Sequence, residues 1–286
     1  MGGSTQGDHL GLAFERRGSG EPLVLLHGMG HRRQAWYPVL GRLAAERTVY
    51  ALDLPGHGDS PPLGAGAGAG RSAVEAMAAA VVAFLDAHGL DRPHLAGNSL
   101  GGSLALRLGA SGRAATVTGL SPAGFWSGGW EFHYVKMVFL GAELTGAAVR
   151  NLIPLFARST VGRAVMDAAF VASPARMSSQ QAVEDAYAFF RARDAVSAVL
   201  AERVAFTDSI PPGVPVTIAW GTRDRLLPPS QARLALHHIP QATFVTLPGC
   251  GHVPMTDNPD LVAKAILDGS SGMPGAKTAP GIPEIS

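Results

Sequence analysis

Apolar residues along the chain fall into short runs separated by helix-length stretches. The runs at 23–26, 48–52, 94–96, 115–120, 214–220 and 243–247 are brief, bounded by Gly, Pro or charge, and mostly apolar throughout. That pattern predicts strands buried on both faces. Between them, helices are predicted over 34–45, 72–88, 100–110, 230–238 and 259–268. Strand–helix alternation of this kind predicts an α/β fold with a mostly parallel sheet and helices on both faces. Right-handed crossovers then bring the strand C-termini to one edge, where sites form.

The alternation stops between 122 and 206, a mostly helical stretch that holds Phe125, Trp126, Trp130, Phe132, Tyr134, Phe139, Tyr187, Phe189 and Phe190. A long insertion between two strands predicts a helical cap, or lid, over the strand edge. The expected division is a core over 9–121 and 207–269, a cap over 122–206, and flexible termini at 1–8 and 270–286. Residues 61–70, PPLGAGAGAG, read as a flexible loop.

Composition narrows the partners. Lys plus Arg is 23 and Asp plus Glu is 22, a formal net charge of +1, so nothing marks a polyanion-binding surface and no nucleic-acid partner is expected. One cysteine excludes an intrachain disulfide framework and a multi-cysteine zinc site. The N-terminus lacks a basic segment followed by an apolar one, and the longest strongly apolar run, 76–85, is too short to span a bilayer. The expectation is a cytoplasmic protein without a membrane partner. Balanced charge allows a homodimer.

The sharpest chemical signal is Gly97-Asn98-Ser99-Leu100-Gly101, followed by Gly102. It follows a predicted strand and opens a predicted helix, the context of a nucleophile elbow. Ser99 is the candidate nucleophile. A serine hydroxyl needs a base, and His252, in the Gly-rich loop after the last strand, is the candidate. His57, in Asp53-Leu54-Pro55-Gly56-His57-Gly58, reads instead as a hydrogen-bonded turn anchor. Asp224, just after the strand at 214–220, is the candidate acid that orients the imidazole. The other position for such an acid, after the preceding strand, is Ser121-Pro122 and carries no carboxylate. The Ser, Asp, His order suits this sheet. In His27-Gly28-Met29-Gly30 the Met29 N–H, with that of Leu100, is the candidate oxyanion hole, and His27 is placed to hold that loop. Gly28, Asn98, Phe125, Trp126, Trp130 and Val253 are candidate substrate contacts. Cys250 reads as a small buried residue. No metal cluster, phosphate-binding loop or flavin motif appears, so no cofactor is expected.

Together these motifs resemble the α/β-hydrolase-fold superfamily, of the capped esterase, meta-cleavage-product C–C hydrolase and cofactor-free haloperoxidase type, over residues 9–269. The resemblance implies a serine hydrolase acting on a small-molecule substrate, most simply a small or medium, mostly apolar ester. C–C bond hydrolysis, acyl transfer and perhydrolysis use the same triad. A ligand-binding receptor on a hydrolase scaffold is the alternative of another class. Ser99 at the nucleophile position sets the chain apart from dehalogenases and epoxide hydrolases, which carry Asp there, and from dienelactone hydrolases, which carry Cys. Val253 stands where C–C hydrolases usually have an aromatic residue.

Overall fold

The computed structural model describes residues 11–64 and 71–272. Its sheet has seven strands: β1 (Phe14–Arg17), β2 (Pro22–Leu26), β3 (Thr48–Leu52), β4 (His94–Asn98), β5 (Thr116–Leu120), β6 (Val216–Gly221) and β7 (Thr243–Leu247). Their order is β1-β3-β2-β4-β5-β6-β7. β1 pairs antiparallel with β3, and the other pairs are parallel.

Alternation along β2 shows how the sheet is buried. Val24 and Leu26 face one apolar core, and Leu23 and Leu25 face the other. The first core is covered by α2 (Ala73–Ala87), α3 (Leu100–Ala110) and α9 (Gln231–His238), through Met77, Val81, Leu104, Leu108 and Ala235. The second is covered by α1 (Tyr37–Ala44) and α11 (Pro259–Ser270), through Val39, Leu43, Val262 and Ile266. Burial of both faces is why these strands read as unbroken apolar runs. α2 begins at a capping box in which Ser72 and Glu75 satisfy each other's backbone N–H.

Three details depart from the sequence expectations. β1 has no strong signal in FERR, because Phe14 is its single apolar residue and Arg16 and Arg17 are exposed at this edge of the sheet. The helix expected at 34–45 divides into a 3-10 turn, Arg33–Trp36, and α1, with Pro38 in the first turn of α1. Ser270, assigned to a flexible terminus, ends α11 and is buried. The termini at 1–8 and 273–286 and most of the 61–70 loop lie outside the described residues.

Between β5 and β6 run α4 (Gly129–Ala148), α5 (Ile153–Ala157), α6 (Thr160–Met166), α7 (Ser179–Arg191) and α8 (Arg193–Ala201). α4 and α7 pack onto the loop after β2. A Cβ on Gly30, which has φ +77°, would sit 2.6 Å from the Phe189 ring and 3.7 Å from that of Phe139. Arg32 of the same loop is paired with Glu184 at 2.6 Å and Asp185 at 3.7 Å, both on α7.

Candidate active site

The site is built where β4 turns into α3. Ser99 sits between them with φ 54° and ψ −116°, a region that costs a side-chain-bearing residue about 1–3 kcal/mol. The turn closes because two neighbours lack side chains. A Cβ on Gly97 would lie 2.1 Å from the Gly101 carbonyl oxygen, and one on Gly101 would lie 2.1 Å from that of Leu26. The strained residue is held by its backbone. Its N–H donates to Leu120 O, and its carbonyl accepts from Ser103 and Ala123, each at 3.0 Å. Ser99 stands at the N-terminus of α3, whose first N–H groups are orphan donors and favour negative charge.

His252 and Asp224 come from loops after neighbouring strands, β7 and β6. Nδ1 of His252 lies 2.8 Å from Oδ2 of Asp224, and both side chains are almost wholly buried. The other carboxylate oxygen of Asp224 accepts the N–H groups of Leu226 at 3.0 Å and Leu227 at 2.8 Å. A carboxylate only accepts, so Nδ1 carries the ring proton and Nε2 keeps its lone pair. That is the tautomer of a general base.

Asn98 links the elbow to the histidine loop. Its side-chain amide donates to the backbone carbonyls of His252 at 2.9 Å and Leu120 at 3.1 Å. Both amide hydrogens are thereby used on the backbone of β5 and of the His252 loop.

The loop after β2 lies against the same turn. A Cβ on Gly28 would be 3.3 Å from both Ser99 Cβ and Asn98 Oδ1, so its backbone passes close to the serine. Met29 follows, half-buried against the core. Two neutral histidines brace this loop. His27 donates from Nδ1 to Gly28 O at 2.8 Å and accepts the Leu54 N–H at Nε2 at 3.0 Å. His57 donates from Nδ1 to Pro55 O at 3.0 Å and accepts the Gly30 N–H at 3.1 Å. Burial drives both rings below their ordinary pKa, His57 to about 4. Asp53, fully buried, accepts the Arg33 N–H at 2.6 Å and the Arg33 guanidinium. The DLPGHGDS segment is thus a brace for the Gly28–Arg33 loop.

The remaining sequence candidates make contacts of their own. Phe125 is spent on core packing against Phe206 and His238. Trp126 packs on Phe132 and donates its indole N–H to Val204 O. Trp130 is on the outside, 65% exposed. Val253 is buried in the second core, and its N–H donates to Phe170 O at 2.8 Å. Cys250 is fully buried, and burial pushes its thiol up to about 11.

Sequence reasoning missed Asp257. On α10 (Pro254–Asp257), its carboxylate accepts the N–H groups of Gly251 at 2.7 Å, Ala172 at 3.1 Å and Ser173 at 2.6 Å. It ties the histidine loop to the inserted helices. Its only signal was position, a lone acid five residues beyond His252. Among the described residues, no group of three or more His, Cys, Asp or Glu side chains could hold a metal ion.

A parallel sheet with one antiparallel edge, a strained serine at a strand–helix turn, and histidine and aspartate on the next loops define a recognisable class. The family model described as the alpha/beta hydrolase family matches residues 23–265, and the chain belongs to that family. It is 29% identical over 264 residues to the dihydrolipoyllysine-residue acetyltransferase component of an acetoin cleaving system from Pseudomonas putida, covering 89% of this chain and 65% of that one. The chain therefore spans just under two thirds of that curated relative. It is 28% identical over 273 residues to Lipase 1 of Psychrobacter immobilis, covering 91% of this chain and 80% of the lipase. Among solved structures, a bacterial membrane phospholipase A superposes with TM-score 0.71 at 27% identity, covering 95% of this chain and 86% of that one. Family membership and the lipase likeness support a hydrolase.

Proposed function

We propose that the protein is a serine hydrolase that cleaves a small or medium, mostly apolar carboxylic ester through an acyl-enzyme. One observation carries this reading: His252 is paired with Asp224 at 2.8 Å while its backbone is bonded to Asn98, the residue next to Ser99. In the proposed reaction, Nε2 of His252 takes the Ser99 proton as Oγ attacks the ester carbonyl. The N–H groups of Met29 and Leu100 receive the oxyanion. The C–O bond to the alcohol breaks as His252 returns the proton to it. Water, deprotonated by the same imidazole, then attacks the acyl carbon, and Ser99 recovers its proton as the acid leaves. Asp224 stays ionised and holds the imidazolium. The inserted helices act as the cap, and Phe139, Phe170 and Phe189, packed edge-on and tilted near Gly30, favour apolar acyl or alcohol groups.

The test is labelling by a fluorophosphonate probe together with turnover of p-nitrophenyl esters of increasing chain length. Labelling at Ser99 and loss of about 10⁴-fold or more in kcat in Ser99→Ala, with the fold intact, is the expected result. No labelling and no turnover of any ester sinks the reading. The likeness to an acetyltransferase component favours one variation, transfer of the acyl group to an alcohol or thiol in place of water. Product analysis with added acceptor separates the two.

A further inference from the structure

A surface helix normally turns a charged face to water. α4 does not. Val135 and Phe139 are buried on its inner side, while Trp130, Tyr134, Met137, Leu140 and Leu144 are all exposed. At 100° per residue these five share an arc of about 120° on the opposite side. Met137 is 50% and Leu144 64% exposed. The apolar surface continues beyond the helix at Leu155, 61% exposed, and Phe156 on α5, and at Val161, 74% exposed, on α6. Exposed apolar groups in such number, on neighbouring helices, mark an interaction surface.

Charge identifies the occupant. From Gly129 to Met166 the exposed charged side chains are Lys136, Arg150 and Arg158. Of the acids, Glu131 is buried and accepts from Ser127 and Gln231, and Glu143 is half-buried and faces Arg193 at 3.9 Å. An apolar surface whose exposed formal charges in this stretch are all cationic suits an anionic lipid surface. A second copy related by a two-fold axis would set these cations against their own kind. Among the described residues no single helix is long and apolar enough to cross a membrane. Gly129–Ala148 and Arg150–Ala157 pass that test only as a pair, bent by 77°. Such a bend suits segments that lie on a surface rather than span it.

We propose that the outer face of α4, continued by α5 and α6, docks on an anionic lipid surface. This departs from the sequence expectation of no membrane partner. Tyr134 donates its hydroxyl to the Arg225 carbonyl at 3.0 Å, next to Asp224, so docking brings lipid beside the candidate active site. The docking itself needs no turnover and stands apart from the hydrolase reading.

The experiment uses the full chain with vesicles of phosphatidylcholine alone and of phosphatidylcholine mixed with phosphatidylglycerol, read by flotation and tryptophan emission. Of the four tryptophans, Trp36 and Trp220 are buried and Trp126 is half-buried with its indole N–H bonded to Val204 O, so the exposed Trp130 reports contact. The expected result is a blue shift and co-flotation with the anionic vesicles, weakened by salt, and a partition reduced at least about tenfold in Met137→Glu/Leu144→Glu and in Leu155→Glu. These positions are exposed, so circular dichroism and turnover of a water-soluble short ester should match the parent. Absence of binding to either vesicle overturns the proposal, as does binding that all these variants keep. So does a dimer, without vesicle binding, that the variants dissociate: the face is then a contact between copies. An inactive parent that still binds vesicles refutes the hydrolase reading alone.

Discussion

At the scale of single residues, the candidate site is held by bonds among its own loops. Asn98 spends its amide on the His252 and Leu120 carbonyls. Asn98→Ala should let the histidine loop drift and lower kcat by about 10²-fold with little change in KM, since small misplacements cost that much. Steady-state kinetics on a soluble ester checks this. Gly101 has no room for a methyl group beside the Leu26 carbonyl. Gly101→Ala should cost about 3 kcal/mol or more in urea unfolding, because overpacking against backbone cannot relax. The pattern around Ser99 was legible in the sequence, since only glycine permits so close a turn. The contacts made by Asn98, Phe125 and Val253 were not, because a polar or apolar letter does not say which neighbour uses it.

At the scale of elements, buried titratable groups make stability depend on pH. His57 bridges the DLPGHGDS turn and the Gly28–Arg33 loop as a neutral ring with its pKa lowered to about 4 from 6.5. The unfolded chain therefore binds one more proton in that window. The stability due to the neutral ring is fully present above 6.5 and is lost as pH falls toward 4. In His57→Gln, urea unfolding followed against pH should show a shallower decline over that window. Asp167 behaves in the opposite sense. Burial first, and the nearby Asp185 charge second, push its carboxyl up to about 7, and its Oδ2 has no hydrogen-bond partner among the described residues. Its cost to the fold grows from pH 3.8 to about 7 and then levels. Asp167→Asn should thus raise the melting temperature more at pH 8 than at pH 4. Neither effect is visible in a strand or helix pattern, because periodicity reports which face is buried and not what lies opposite a charge.

At the scale of the whole molecule, Asp257 joins the histidine loop of the core to residues 172–173 of the insertion. Asp257→Ala leaves the buried N–H of Gly251 and the half-buried N–H groups of Ala172 and Ser173 without their acceptor. It should cost about 3 kcal/mol in unfolding free energy and lower kcat as well, since both bodies lose the same anchor. Paired unfolding and kinetic measurements test the coupling. What the sequence determined by itself was the alternating sheet and the Gly-rich elbow, because burial and steric closeness act over a few neighbouring residues and leave local patterns. The tertiary structure alone decided that the His57 ring and Asp53 reach across to the Gly28–Arg33 loop, that Asp257 ties the histidine loop to the insertion, and that an apolar face of α4 looks outward. Those are contacts between residues far apart in the chain, and their free energies depend on distances that no local pattern encodes.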